Sequence, residues 1–198
     1  MRIVDCEQCS PAWFEARKGI PTSSEFDKII TSEGKPSKSR EKYMWRLAGE
    51  RLGGVVEEGF QSFAMTRGKE KEDQGRALYA LIHEPIQKVG FCISDCGRYG
   101  SSTDGLLNTR GVFELKCPEM QTHIGYLIKC QEIPTEYFIQ TQGELLVTQR
   151  EYVDFMSYYA GIKPLIVRAY PDKTFQILLK GALEQFYSEL ECLVRKLS

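Results

Sequence analysis

The sequence has little histidine and few of the short motifs that identify common hydrolases. Its two histidines, His83 and His123, form no His-x-x-x-His pair, and no Gly-x-Ser-x-Gly stretch is present. A zinc peptidase and an α/β-type serine hydrolase are therefore disfavoured. There is also no Gly-x-x-x-x-Gly-Lys-Ser/Thr loop, so the chain shows no sign of an ATP-driven motor.

Long apolar runs are also absent. No stretch of about 18 apolar residues occurs, so no membrane-spanning helix is predicted. The opening residues, Met-Arg-Ile-Val-Asp-Cys-Glu-Gln-Cys, lack the apolar core of a signal peptide. From these two features we expect a cytoplasmic protein without a membrane partner.

The chain lacks a strong excess of either charge. It has 26 basic and 27 acidic residues, a net charge of −1, so bulk charge does not indicate a nucleic-acid partner. The segment 35–51 is locally basic, with Lys35, Lys38, Arg40, Lys42, Arg46 and Arg51 against Glu41 and Glu50. This segment fits a nucleic-acid contact and a solvated helix face equally well.

Seven cysteines are present, at irregular spacing. Cys6 with Cys9 and Cys92 with Cys96 can be combined into a four-cysteine zinc site. The two pairs lie far apart in sequence, without the turns of a zinc ribbon. We therefore expect free, mostly buried thiols, as is usual in a reducing compartment.

Residues 1–198 are predicted to form one α/β domain, because no linker or repeat interrupts the chain. Caps and periodicity predict helices at 11–18, 22–31, 39–53, 66–82, 121–130, 135–147 and 172–197. β-rich segments predict strands at 86–93, 99–102, 112–117, 152–159 and 165–170, the first three as an antiparallel meander. The expected architecture is a small mixed central sheet flanked by helices.

The most informative residues are Asp104, Glu114 and Lys116. Glu114 and Lys116 are two apart, so on a strand their side chains leave the same face. The turn-like stretch 108–111 can close a hairpin that returns Asp104 to Glu114. Two carboxylates and an ammonium converging in this way suit Mg²⁺, with the lysine orienting a water molecule. Charged side chains on an apolar strand are costly to bury unless they are paired or bind a metal, which supports a functional role for these residues.

The residues Asp104 and Glu114-x-Lys116 resemble the core of the PD-(D/E)XK nucleases. The longer string from Ser102 to Pro118 is similar to the phage lambda exonuclease branch, also called the YqaJ-type viral recombinase family. Three further blocks resemble that family in its order: 12–17 with 22–25, Arg67-Gly68 with Glu72, and 137–142, which reads Tyr-Phe-Ile-Gln-Thr-Gln. The resemblance covers residues 12 to about 148 and implies a restriction-endonuclease-like core.

The resemblance also implies residue roles. The implied metal ligands are Asp104, Glu114, the Leu115 carbonyl and Glu72, with Mg²⁺ as the ion and Mn²⁺ as a substitute. Lys116 would position the attacking water and Gln140 would orient Lys116 or that water. Arg17, Ser24 and Ser102 match residues that bind a 5′-phosphate, a suitable task for an arginine beside two hydroxyls.

The implied activity is 5′→3′ digestion of one strand of linear duplex DNA by a two-metal mechanism, leaving a 3′ single-stranded overhang. The implied setting is phage-type recombination in a bacterial host, encoded by a phage or prophage, with a ring-shaped homotrimer and a single-strand annealing protein as partners. The alternatives are an iron–sulfur exonuclease of the RecB-like type and a non-catalytic DNA-end-binding scaffold. The first is disfavoured because Cys192 is the only C-terminal cysteine.

The chain departs from the family pattern at one position. The family has an arginine shortly after Glu-x-Lys-Cys-Pro, where this chain has Thr122 followed by His123. His123, Lys129 and Arg98 are the candidates to replace that arginine.

Overall fold

The computed structural model describes residues 1–53, 63–129 and 132–198. For residues 63–70 it describes the backbone but not the side chains. Helices cover Pro11–Arg17 (α1), Arg40–Gly53 (α2), Phe63–Ile82 (α3), Met120–Lys129 (α4), Thr135–Thr148 (α5) and Lys173–Leu197 (α6), with a 3-10 helix at Ser23–Lys28. Strands cover Arg2–Val4 (β1), Ile86–Gln87 (β2), Phe91–Ile93 (β3), Gly100–Ser101 (β4), Gly105–Leu107 (β5), Gly111–Lys116 (β6), Tyr152–Ser157 (β7) and Leu165–Ala169 (β8).

The central sheet has five strands in the order β2-β5-β6-β7-β8. β6 and β7 are parallel, whereas the other neighbours in this sheet are antiparallel. All six residues of β7 are buried, as expected for a strand with both faces covered. The predicted fold class, a small mixed sheet flanked by helices, is therefore confirmed.

The predicted single meander is wrong, because the structure divides its strands between two sheets. The segment 86–93 breaks into β2, which joins the central sheet, and β3, which pairs with β1 and β4 in a three-stranded sheet. Gly90 lies at the break, where an added Cβ would come within 2.3 Å of the Cys6 carbonyl oxygen. The absence of a side chain at Gly90 therefore allows the N-terminal segment to approach the chain where it passes from one sheet to the other.

Local signals fix several helix starts. The Ser10 side chain accepts a hydrogen bond from the Trp13 amide at 3.3 Å, and Pro11 occupies the first turn of α1. Asp172 caps α6 by accepting from the Phe175 amide at 3.0 Å. Both starts agree with the sequence-based predictions.

The hydrophobic core lies on the two sides of the sheets. One cluster joins α2, α5, α6 and the 3-10 helix, and its fully buried members include Phe26, Phe186 and Leu190. A second joins α3 to the central sheet through Tyr79 and Phe113, whose ring centroids are 4.5 Å apart, and a third joins α5 to β6 and β7. These clusters place α3 and α5 against the strand that carries Glu114 and Lys116.

None of the helices within the described ranges is both long and apolar enough to cross a membrane. The six cysteines in those ranges carry free thiols, as expected, but only Cys92 among them is buried, so the expectation of mostly buried thiols is wrong. The seventh, Cys130, lies outside the described residues.

Candidate active site

The β5–β6 hairpin brings Asp104 to Glu114, as the sequence predicts. Asn108 adopts a positive φ of 42° in the turn, and its side-chain oxygen accepts from the Arg110 amide at 2.7 Å. Leu107 pairs with Gly111, and the Leu115 amide donates to Asp104 Oδ2 at 2.8 Å. Asp104 is thereby fixed to the backbone of the strand that carries Glu114.

Glu114 and Lys116 share one face of β6, and Gln140 reaches them from α5. The Lys116 ammonium lies 2.6 Å from Glu114 Oε1, and Gln140 Nε2 donates to the same oxygen at 2.5 Å. The Lys116 ammonium also lies 5.3 Å from the ring centroid of Tyr137. The predicted convergence of an acid, a lysine and a glutamine therefore occurs, with an aromatic ring beside the lysine.

Glu144 is a residue of this cluster that the sequence gave no reason to select. It is completely buried on α5, one turn beyond Gln140, and its Oε1 accepts from Gln140 Nε2 at 3.0 Å. A glutamate preceding the apolar run 145–147 in a helix is more often exposed. The spacing of four residues from Gln140 is the only sequence signal that places the two on one face.

Helix α3 supplies Glu72 and Arg76. Gly75 allows close packing, because an added Cβ would lie 3.1 Å from the Leu115 side chain. Arg76 Nη2 donates to Asp104 Oδ1 at 2.8 Å, and Arg76 Nη1 lies 3.6 Å from Glu72 Oε2. Glu72 therefore joins the cluster through Arg76, a residue absent from the predicted site. The neighbouring Arg67 side chain lies outside the described residues.

Electrostatics in this cluster are set by burial. Burial, followed by the charge of Glu114, raises the pKa of Asp104 to about 7. The same two causes raise the pKa of Glu144 well above its ordinary value. Burial alone would lower the pKa of Lys116, but the Glu114 and Asp104 carboxylates raise it above its ordinary value. Lys116 is consequently an ammonium at neutral pH.

The donor set suits a hard divalent cation. Glu114 Oε2 is buried and has no hydrogen-bond partner among the described residues, which leaves an oxygen free to bind a cation. Asp104 and Glu72 offer further carboxylate oxygens, currently paired with Arg76. Within the described ranges no three His, Cys, Asp or Glu side chains are already grouped to hold a metal ion. The residue types fit Mg²⁺ or Mn²⁺. In this structure the Arg76 guanidinium is the cation paired with Asp104 and Glu72.

Arg17 and Ser102 form the centre of a separate polar pocket. Arg17 Nη1 donates to Ser102 Oγ at 2.6 Å, while its Nη2 donates to Thr22 Oγ1 at 3.5 Å. Ser24 is exposed and reaches the pocket through Thr22, with 3.5 Å between their hydroxyl oxygens. Burial lowers the pKa of Arg17. The three predicted residues are therefore neighbours, and Thr22 is an additional member.

The pocket opens into a groove of about 720 Å³ between α1 and α2. The Arg17 guanidinium carbon lies 4.0 Å from the ring centroid of Trp13 on one wall. Trp45, 57% exposed, lies on the other wall. Glu25 and Glu50 also line the groove, so its charge is mixed.

His123 does not replace the family arginine near Thr122. Its ring is completely buried, with Nδ1 2.8 Å from Ser157 Oγ and Nε2 3.0 Å from the Lys163 carbonyl oxygen. Both nitrogens are therefore engaged in joining α4 to the end of β7. Arg98 lies 5.6 Å from the ring centroid of Tyr187, where it packs against α6.

Comparison with known families identifies the family to which this chain belongs. The YqaJ-like viral recombinase domain model matches residues 12–151. The chain belongs to this family. The matched segment runs from α1 to the end of α5 and includes Arg17, Glu72, Asp104, Glu114, Lys116 and Gln140. No curated protein matches the chain.

Solved structures agree with the YqaJ-like assignment. The alkaline exonuclease LHK-Exo from Laribacter hongkongensis is 30% identical, with a TM-score of 0.84 over 95% of this chain and 96% of that one. LHK-Exo in complex with dAMP gives the same values. A phage-related exonuclease from Haemophilus somnus 129PT, 16% identical with a TM-score of 0.66 over 90% of this chain and 96% of that one, shares the fold. The family predicted from the sequence is confirmed, and these relatives support an exonuclease of the phage-recombination type.

Proposed function

We propose that this chain is a Mg²⁺-dependent exodeoxyribonuclease that digests one strand of linear duplex DNA from its 5′ end. The product would be a 3′ single-stranded overhang, the substrate for homologous recombination by strand annealing. One observation carries the proposal: Glu114, Lys116 and Gln140 meet beside Asp104, and one buried oxygen of Glu114 has no partner among the described residues.

The metal ligands would be Asp104, Glu114 and the Leu115 carbonyl, with Glu72 as a further ligand from α3. Two Mg²⁺ ions at this position would stabilise the attacking and leaving oxygens of the phosphodiester, and Mn²⁺ would be an acceptable substitute. If the Arg76 guanidinium moved away, the carboxylates of Asp104 and Glu72 would both become available to the metal. The hard oxygen donors support this choice of ion.

Lys116 would position the attacking water, because its ammonium remains charged and lies on the same strand face as Glu114. Gln140 would orient Lys116 or that water through its contact with Glu114. The Arg17 pocket would bind the 5′-phosphate, with Ser102 and Ser24 as hydroxyl donors. This division of roles supports attack from a 5′ end.

The proposed assembly is a ring-shaped homotrimer that encircles duplex DNA and works beside a single-strand annealing protein in a bacterial host. A ring would keep a chain with a net charge of −1 on DNA, because topology would replace much of the electrostatic attraction. Residues 1–198 would form one domain of this ring.

The test is digestion of a linear duplex labelled at either end of either strand, with and without Mg²⁺, carrying a 5′-phosphate or a 5′-hydroxyl. We expect Mg²⁺-dependent loss from the 5′ end, faster with phosphate. Lys116→Ala should bind DNA but lose cleavage by at least about a hundredfold. Lys180→Ala, on the exposed side of α6, is the matched control and should cleave normally.

Three results would contradict the proposal. Loss from the 3′ end would retain a nuclease but exclude the 5′→3′ direction. Substantial cleavage by Lys116→Ala would remove the role given to that lysine. A wild-type protein that binds DNA ends but digests none of them with any divalent metal would be a non-catalytic scaffold.

A further inference from the structure

The Gln140 amide group lies between two buried carboxylates. Its Nε2 donates to Glu114 Oε1 at 2.5 Å and to Glu144 Oε1 at 3.0 Å. A side-chain amide has two N–H donors, so both are used in these contacts. If the amide were rotated by 180°, its oxygen would face Glu114 Oε1, and the hydrogen bond to that carboxylate would be replaced by repulsion.

Glu114 alone does not secure this orientation. Its Oε1 also contacts the Lys116 ammonium, so the oxygen would remain satisfied if Gln140 turned away. The second acceptor, Glu144, uses the other amide proton. With both protons engaged, the amide keeps its nitrogen toward Glu114.

Glu144 is well suited to hold the amide because it cannot turn toward solvent. Its exposure is 0%, and every residue from Thr141 to Thr148 is buried. Beside Glu144 on α5, Gly143 packs so closely on Phe26 that an added Cβ would lie 2.6 Å from the Phe26 ring. This close packing fixes the position of α5 against the 3-10 helix, and so fixes the height of Glu144 along the strand.

We propose that Glu144 is a positioning residue that acts through Gln140. It holds the amide so that Glu114 Oε1 stays engaged by Gln140 and Lys116, which leaves Glu114 Oε2 as the oxygen free for a divalent cation. This inference rests on the proposed function, since it assigns the cation to that oxygen. This role requires no contact between Glu144 and substrate or ion, although Glu144 Oε2 is also buried without a hydrogen-bond partner among the described residues.

The experiment compares Glu144→Leu and Glu144→Gln in the wild-type and Gln140→Ala backgrounds. Leucine removes the acceptor, so we expect kcat to fall at least about tenfold, as for other residues that orient a metal ligand, while KM for DNA ends is unchanged. Glutamine retains an acceptor oxygen, so kcat should stay within about threefold of wild type. In the Gln140→Ala background, Glu144→Leu should cause no further loss.

A second readout needs no DNA. Mn²⁺ alone is titrated into the metal-free proteins and followed by electron paramagnetic resonance, and Glu144→Leu should raise the Mn²⁺ concentration at half-saturation by about tenfold. Thr148→Val is the matched control. It removes a hydrogen bond to the Glu144 carbonyl on the same buried part of α5, so it should lower Tm without changing the Mn²⁺ titration.

Wild-type kcat and Mn²⁺ binding in Glu144→Leu would overturn the inference. An equal loss in both backgrounds would overturn the route through Gln140. If Glu144→Leu does not fold, Glu144→Asp replaces it, because the shorter side chain withdraws the acceptor and should give the same losses. If wild-type protein cleaves no DNA, the proposed function fails, while the Mn²⁺ titration still decides the role of Glu144.

Discussion

At the scale of single residues, the acids of the candidate site are held by cations of the protein itself. Asp104 pairs with Arg76 at 2.8 Å and Glu114 with Lys116 at 2.6 Å. These pairs offset part of the cost of burying carboxylates. At Asp104 the effect of burial and of Glu114 still dominates, and its pKa is about 7. In the proposed metal site, a proton and a divalent cation would therefore compete for this carboxylate near neutral pH.

Because the pKa of Asp104 is raised, replacing this residue with an uncharged one should stabilise the folded protein. The size of this gain should depend on pH. The folded-state pKa of about 7 exceeds the ordinary 3.8, so between these values the folded protein binds more protons than the unfolded chain. The stability contributed by this group therefore falls as pH rises through that window. In metal-free protein, Asp104→Asn should raise Tm relative to wild type by more at pH 8 than at pH 4.5.

The measurement is thermal unfolding in a chelator, with the exposed Asp27→Asn as the control. A Tm difference for Asp104→Asn that shrank with rising pH would contradict the assignment.

Arg17 offers a second residue-scale prediction. Its charge-assisted bonds would recognise the 5′-phosphate, and each such bond contributes about 1.5–3 kcal/mol. Arg17→Ala should therefore reduce kcat/KM on 5′-phosphorylated duplex by about tenfold to a hundredfold and leave the 5′-hydroxyl duplex little affected. Lys18→Ala, the adjacent cation in the same groove, is the control. An equal loss on both substrates would exclude a phosphate-specific role.

The positions of some site residues could be predicted from the sequence and those of others could not. Asp104, Glu114 and Lys116 were predicted because strand alternation and one turn fix their geometry locally. Gln142 would be expected on the helix surface, yet its Oε1 accepts from the Asp172 amide at 2.9 Å and ties α5 to α6. The partner of Gln142 lies 30 residues away in the sequence, and no local sequence pattern predicts the contact.

At the scale of secondary structure, α5 contacts both halves of the site. Gln140 and Glu144 face β6, and Gly143 faces the 3-10 helix that contains Ser24. The element therefore joins the candidate metal position to the candidate phosphate pocket. Its position depends on close backbone approach at Gly143.

Gly143→Ala should accordingly be destabilising. The added Cβ would lie 2.6 Å from Phe26 Cδ2 and 3.1 Å from Ser23 Cβ, so the helices must separate, at a cost of about 1–3 kcal/mol. Gly181→Ala in α6 is the matched control, because no atom lies within 4 Å of its added Cβ and the change should stabilise the helix by about 0.5–1 kcal/mol.

Urea unfolding of both variants gives the comparison. Equal stability of Gly143→Ala and wild type would show that α5 can move away from the 3-10 helix at no cost.

Helix boundaries were predicted well and strand pairing less so. Caps such as Ser10 and Asp172 act within one turn, so sequence alone reveals them. β1 and β5 have three residues each, too few for a periodic signal. The parallel pairing of β6 with β7 joins residues separated by two helices, and only packing of the whole chain selects it.

At the scale of the whole molecule, a near-neutral net charge favours a ring over a simple basic surface. Exposed apolar side chains also repeat at every fourth residue of α4, at Met120, Ile124 and Ile128, with exposures of 50%, 37% and 77%. Contiguous apolar surface of this kind is common where subunits meet. Both features support the proposed homotrimer.

Sedimentation velocity should therefore give the mass of three copies of the 22.7 kDa chain. The association should persist as salt is raised, because apolar contacts are not screened. A single-chain mass at micromolar concentration would contradict the ring.

Because β6 and β7 are far apart in sequence, the parts of the candidate site leave the ribosome at different times. The β5–β6 hairpin is local and can close as soon as it leaves the ribosome, whereas β7 and α5 emerge later. A nascent chain ending before residue 135 would contain Asp104, Glu114 and Lys116 but neither Gln140 nor Glu144. We therefore expect incomplete chains to be harmless to the DNA of the cell that makes them.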